Sequence, residues 1–206
     1  MLFYKTIDPT TLELLKNLQA IAVFKNLRLA GGTSLALQIG HRKSIDLDLF
    51  GILQADDTTF SEALATFEKV TWLKKTPNIN IFSINDVKVD FVNYTYPWLD
   101  ETKAEDDLRL AGLKDIAAMK LAAVTGRGTK KDFIDIYFLL KQFSLKEMLQ
   151  HYKNKYADGS EFLVLKSLTY FEDADPEQEP VMLKNISWLA VKDTVLKAHS
   201  AYLKSL

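Results

Sequence analysis

Apolar positions in this chain change period part-way along, from alternation mixed with short helices in the first half to almost continuous helical spacing in the second. Leu12, Leu14, Leu15, Leu18 and Ile21 fall on one helical face behind the capping side chains of Asp8-Pro9-Thr10-Thr11, which predicts an amphipathic helix ending near Phe24. Asn26 to Ala30 reads as a short strand entering a turn at Gly31-Gly32, Thr33 to Ile39 as a short helix, and Gly40 as its stop. From Ser44 to Phe50 the residues alternate, so a strand there carries Ile45, Leu47 and Leu49 on one face and Ser44, Asp46 and Asp48 on the other. Thr58 to Trp72 returns to helical spacing through Phe60, Leu64, Phe67 and Val70. Asn78 to Ser83 and Val87 to Tyr94 are β-like runs joined by a hairpin turn at Ile84-Asn85-Asp86, with Val87, Val89 and Phe91 on one face and Lys88 and Asp90 on the other.

Pro97 to Asp107 is polar and acidic, and almost no strand signal follows it. This sets the expected division at residues 1–105 and 106–206. Leu113 to Val124 is helical and stops at Gly126-Arg127-Gly128; Lys130 to Phe143 is apolar around most of its circumference and so predicts a buried helix. Ser144-Leu145-Lys146-Glu147 is a capping box opening a helix to about Tyr156. Ser160 to Phe171 predicts another helix, Pro176 and Pro180 punctuate an acidic loop, and Ser187 caps a final helix. The fold class is therefore α+β: a mixed β-sheet core with flanking helices, then a C-terminal helical bundle.

Composition narrows the chemistry. With 26 basic and 27 acidic residues among 206, the net charge of −1 gives no bulk attraction to nucleic acid or anionic membrane. The absence of cysteine excludes disulfides, thiolate metal sites and a cysteine nucleophile, and it fits a reducing compartment. Charged residues interrupt every apolar stretch before it reaches the roughly 18 residues of a membrane span, so a soluble cytoplasmic chain is expected, with no membrane partner.

Positive charge is what the Asp46-x-Asp48 pair requires, since two carboxylates about 6–7 Å apart on one strand face repel each other and are able to share a cation. Beside them, a glycine turn opening a helix presents free backbone N–H groups and the positive end of the helix dipole, suited to phosphate. In the basic run His41-Arg42-Lys43, Arg42 is suited to hold a phosphate or a carboxylate bidentately. Asp90 is a third strand carboxylate, able to join the first two if its strand pairs with theirs. Asp132 and Asp135 lie three apart on the buried helix and require partners, with Lys120 and Arg127 the natural ones; an internal ion pair joining two helices is the purely structural alternative. Converging carboxylates, a glycine turn and nearby cations describe a site for Mg²⁺ and a polyphosphate.

Gly31-Gly32-Thr33-Ser34 followed by Gly40-His41-Arg42-x-Ser44-x-Asp46-x-Asp48-Leu49-Phe50 resembles the AbiEii/AbiGii toxin family of nucleotidyltransferases, within the DNA polymerase β-like superfamily. The similarity continues through Lys120-x-x-Ala123-x-x-x-Arg127-x-x-x-Lys131-Asp132-x-x-Asp135. The resemblance implies a nucleotidyltransferase-type sheet and Mg²⁺- or Mn²⁺-dependent transfer of NMP from an NTP to an acceptor, with tRNA, other RNA or a protein hydroxyl as acceptor. It further implies a role as toxin in a toxin–antitoxin or phage-defence system, with a cognate antitoxin as partner. By position it assigns Asp46, Asp48 and Asp90 to metal, Gly31, Gly32, Thr33, Arg42 and Ser44 to the nucleotide, and Lys120 with Asp132 or Asp135 to catalysis. These last would close over the first group to make a cleft between sheet and helical half. A nucleotide-binding regulatory protein of the same fold, transferring nothing, is the alternative.

Overall fold

The computed structural model describes residues 1–206 apart from the side chain of Arg127, and divides them into two compact units. The first comprises residues 1–95 and 102–111, the second residues 96–101 and 112–206. The expected boundary at 105/106 falls inside a hairpin of the first unit.

That unit is built on one seven-stranded sheet of order β3-β4-β5-β2-β1-β7-β6. In chain order its elements are α1 (Pro9–Ala20), β1 (Arg28–Leu29), α2 (Gly31–Ile39), β2 (Leu47–Gly51), α3 (Asp57–Leu64), β3 (Val70–Lys75), β4 (Ile79–Ile84), β5 (Val87–Asn93), β6 (Lys103–Glu105) and β7 (Leu108–Leu110). β2 lies centrally, antiparallel to β1 and parallel to β5. Leu47, Leu49, Val89 and Phe91 are wholly buried on the shared apolar face, where Phe91 and Phe24 stack with ring centroids 4.6 Å apart. The anticipated hairpin between β4 and β5 is present, and Asn85 and Asp86 take φ of 49° and 67°, the left-handed conformation of a tight two-residue turn.

Three expectations need correcting. Ile45 does not join the buried face, since β2 starts at Leu47 and Ile45 is 63% exposed. The helix expected from Thr58 to Trp72 ends at Leu64, and Val70 and Trp72 belong to β3. β3 is an edge strand with little burial on either face, so it carries no alternation, and its exposed Lys74 and Lys75 blunt the edge. The stretch taken as a polar separator holds the β6–β7 hairpin, turned by Asp106 and Asp107 at φ 53° and 65°. β7 continues the sheet beside β1, and the half-buried Arg109 ties it to the end of α1, donating to the Gln19 carbonyl at 2.6 Å.

The second unit is helical: α4 (Leu113–Arg127), α5 (Lys130–Leu139), α6 (Leu145–Lys155), α7 (Glu161–Ser167) and α8 (Trp188–Leu203). Ser144 and Glu147 form the expected capping box of α6, and Ser187 accepts from Ala190 at the start of α8. α5 is buried along nearly its whole length, as its composition requires. No helix among the described residues is long and apolar enough to cross a membrane.

Candidate active site

Sheet register brings two of the predicted carboxylates together. β2 and β5 run parallel with Asp48 opposite Asp90, so the two side chains leave the same polar face from strands about 4.8 Å apart. Asp46 lies just before β2, close enough that its charge reaches Lys88 on β5. Lys88 Nζ contacts Asp90 Oδ1 at 2.6 Å. Burial alone would lower the Lys88 pKa, but the hydrogen bond to Asp90 and the charges of Asp90, Asp48 and Asp46 outweigh it and raise the ammonium above its ordinary range. One ammonium thus senses all three carboxylates. Sequence reasoning placed Lys88 on this face without giving it a role; the available signal was Lys-x-Asp on one strand meeting Asp-x-Asp on its neighbour.

The start of α2 abuts this cluster. Gly31 opens the helix at φ 62°, and a Cβ added there would lie 2.2 Å from Asp48 Oδ2, so glycine is required both for the backbone conformation and for the close approach of the carboxylate. The Ala30 N–H donates to the Asp48 carbonyl at 2.8 Å, fixing the helix start to β2. The first N–H groups of a helix have no intrahelical acceptor, and at Gly31, Gly32 and Thr33 they begin beside the acidic face. The Thr33 hydroxyl is used internally: it donates to the Asp46 carbonyl and lies 2.8 Å from the Ser44 hydroxyl. Thr33 and Ser44 therefore position the chain leading to Asp46. Arg42 is only 3% exposed and donates to the Lys43 carbonyl at 3.0 Å.

The second predicted cluster forms inside the helical unit. Lys120 Nζ meets Asp132 Oδ1 at 2.8 Å and Asp135 Oδ2 at 2.7 Å, joining α4 to α5. Asp132 also caps α5, accepting from the Thr129 hydroxyl at 2.6 Å and the Thr129 N–H at 3.2 Å. Arg127, the other partner expected for these aspartates, has its side chain outside the described residues. Burial would raise the Asp132 pKa, but Lys120 and Thr129 outweigh it and hold the carboxyl below its ordinary value of 3.8. A depressed carboxylate pKa contributes stability that is complete above the ordinary carboxylate range and is lost as pH falls through the folded-state value. Asp132→Asn is accordingly expected to cost about 2 kcal/mol near neutral pH, with the gap to the parent closing under acid. Urea unfolding of both proteins at a series of pH values measures this, and a pH-independent gap would contradict it.

Sequence reasoning missed a second buried pair in this unit. Lys155 Nζ and Asp115 Oδ1 lie 2.7 Å apart, and both side chains are completely buried. Asp115 also accepts the N–H groups of Leu99 at 2.9 Å and Asp100 at 3.0 Å, while Lys155 donates to the Pro97 carbonyl at 2.8 Å and sits 4.6 Å from the Trp98 ring centre. The partners are forty residues apart in sequence. No local spacing announces them.

Whether a divalent cation suits the first site is a question of donors. Asp46, Asp48 and Asp90 offer hard carboxylate oxygens, the ligand type Mg²⁺ prefers, and Gly31 leaves room for Asp48 at the helix start. Among the described residues no three acidic, cysteine or histidine side chains are grouped closely enough to hold a metal ion by themselves.

The family model for the nucleotidyl transferase AbiEii toxin of type IV toxin–antitoxin systems matches residues 13–201. The chain belongs to the AbiEii family. It is 37% identical over 171 residues to an uncharacterized protein of Aquifex aeolicus (strain VF5), covering 80% of this chain and 83% of the relative. Among solved structures this AbiEii chain is similar to MenT4, a nucleotidyltransferase toxin of Mycobacterium tuberculosis H37Rv (TM-score 0.62, 16% identity, 96% of this chain and 84% of that one). It is also similar to JHP933 of Helicobacter pylori (TM-score 0.54, 15% identity, 97% and 96%). At these identities the structural likeness establishes the nucleotidyltransferase fold, and family membership establishes that this AbiEii protein is a transferase.

Proposed function

We propose that this AbiEii protein transfers a nucleoside monophosphate from an NTP to an acceptor hydroxyl at the polar face of β2 and β5, acting as the toxin of a toxin–antitoxin pair. The acceptor oxygen attacks the α-phosphorus, the bond from that phosphorus to the bridging oxygen breaks, pyrophosphate leaves, and the acceptor proton passes to solvent. Asp46 and Asp48 would hold Mg²⁺ or Mn²⁺ with Asp90 beside them, and the bound ion would supply charge neutralisation on the phosphates. The N–H groups at the start of α2 bind and orient the triphosphate, with Gly31 and Gly32 permitting close approach. Thr33 and Ser44 hold the Asp46 backbone in place.

The observation that carries this reading is the pairing of Asp48 with Asp90 directly beside the Gly31 helix start, which sets anionic and cationic subsites side by side. A tRNA end, another RNA or a protein hydroxyl is the acceptor class that the family resemblance favours, and a cognate antitoxin is the expected partner. Incubation with each of four α-labelled NTPs, Mg²⁺ or Mn²⁺ and total tRNA tests the proposal, with label expected in RNA or in protein. Folded protein that transfers no label under any combination would overturn it. NTP binding without transfer would point instead to a nucleotide-binding regulatory protein.

A further inference from the structure

Lys88 supplies a positive charge from within the acidic face. It shares the face with Asp90 two positions along β5, contacts that carboxylate at 2.6 Å, and lies within reach of the charges of Asp48 and Asp46. Its side chain is 43% exposed, whereas that of Asp90 is 17% exposed, so the ammonium reaches the cluster from the solvent side and is free to swing away. A lysine there does electrostatically what a divalent ion would do, since it neutralises clustered carboxylates that otherwise repel one another.

We infer that Lys88 is a tethered counter-cation of this site, pairing with Asp90 in the metal-free protein and competing with divalent metal for the same carboxylates. The inference rests on the metal and nucleotide reading above and deepens it, because it makes Lys88 a positioning residue that sets how readily the site loads. Asp46 and Asp48 are the residues that would hold the ion, and its charge would repel the Lys88 ammonium and weaken the Lys88–Asp90 pair. Once displaced, the side chain remains on a four-carbon tether at the mouth of the site, where an anionic triphosphate is its natural new partner. Lys88 would thereby favour loading of metal together with nucleotide over loading of metal alone.

The test is Mn²⁺ binding followed by electron paramagnetic resonance and calorimetry without nucleotide, on the parent, Lys88→Met, Lys88→Arg and Asp48→Asn. Lys88→Met keeps most of the aliphatic stem and removes the charge. It is expected to bind Mn²⁺ about three- to tenfold more tightly than the parent, a range that allows for solvent screening of a half-exposed ammonium. Lys88→Arg, which keeps the charge, is expected to stay near the parent. Equal or weaker binding by Lys88→Met would overturn the inference while leaving the site reading intact. If Asp48→Asn binds Mn²⁺ as tightly as the parent, the ion is bound elsewhere and the site reading itself falls. Circular dichroism of each variant confirms that it is folded before affinities are compared.

Discussion

Asp48→Asn is expected to lower nucleotidyl transfer about a thousandfold or more, the scale seen when a group that neutralises charge in such a reaction is removed. The fold should survive. Asp48 contributes to β2 through its backbone, accepting the Ala30 N–H, and asparagine leaves that bond in place. Its side chain lies on the polar face opposite Leu47 and Leu49, so the exchange disturbs no apolar packing. Lys88 keeps its contact with Asp90. The loss therefore falls on chemistry, and label transfer beside an unchanged circular dichroism spectrum reads it directly. Gly31→Ala should reach a similar loss by another route, because the added methyl would lie 2.2 Å from Asp48 Oδ2 in a backbone conformation with φ of 62°. Activity within tenfold of the parent in Asp48→Asn would place the reaction elsewhere.

Asp115→Ala is expected to destabilise the protein by about 3–5 kcal/mol. Removing the carboxylate leaves the Lys155 ammonium in a completely buried position without its counter-charge, beside the Pro97 carbonyl and the Trp98 ring. It also strips the acceptor from the N–H groups of Leu99 and Asp100. For a chain of this size the melting temperature should fall by roughly 10 °C. Lys155→Met should cost less, since the carboxylate keeps two N–H donors. The double variant Asp115→Leu/Lys155→Met should be more stable than the sum of the single changes predicts, because neither charge is then left alone. Chemical unfolding of the four proteins measures the coupling; additive effects, or a cost below about 1 kcal/mol for Asp115→Ala, would contradict a role for the pair in holding residues 96–101.

Much of the candidate site on β2 and at the start of α2 was legible in the sequence because its information is local. Asp46-x-Asp48 needs only the strand period, Gly31-Gly32 only the turn, and the Asn85-Asp86 hairpin only two residues tolerant of positive φ. The join between Asp48 and Asp90 could be stated only as a condition, since residues 52–86, with α3, β3 and β4, separate the two strands and register is a tertiary property. β3 was hidden because an exposed edge strand has no buried face to impose alternation. β6 and β7 were hidden by brevity and by an Asp-Asp turn that resembles solvated linker. Lys120, Asp132 and Asp135 were grouped from the need of buried charge for a partner, an argument that works across adjacent helices. The same argument failed for Asp115 and Lys155 because neither belongs to a run apolar enough to declare itself buried.

The way the backbone is shared between the two units bears on how such a protein can be inherited. The chain passes from one unit to the other after residues 95, 101 and 111, so each unit contains a piece encoded inside the other's stretch of gene. A single crossover between related genes, wherever it falls, cannot exchange one unit whole. A cut at 105/106 would divide β6 from β7, and one at 111/112 would part residues 96–101 from the Asp115 that holds them. Recombination is therefore expected to move the sheet unit and the helical unit together, and lineages should differ in the two units by accumulated point substitutions rather than by shuffling.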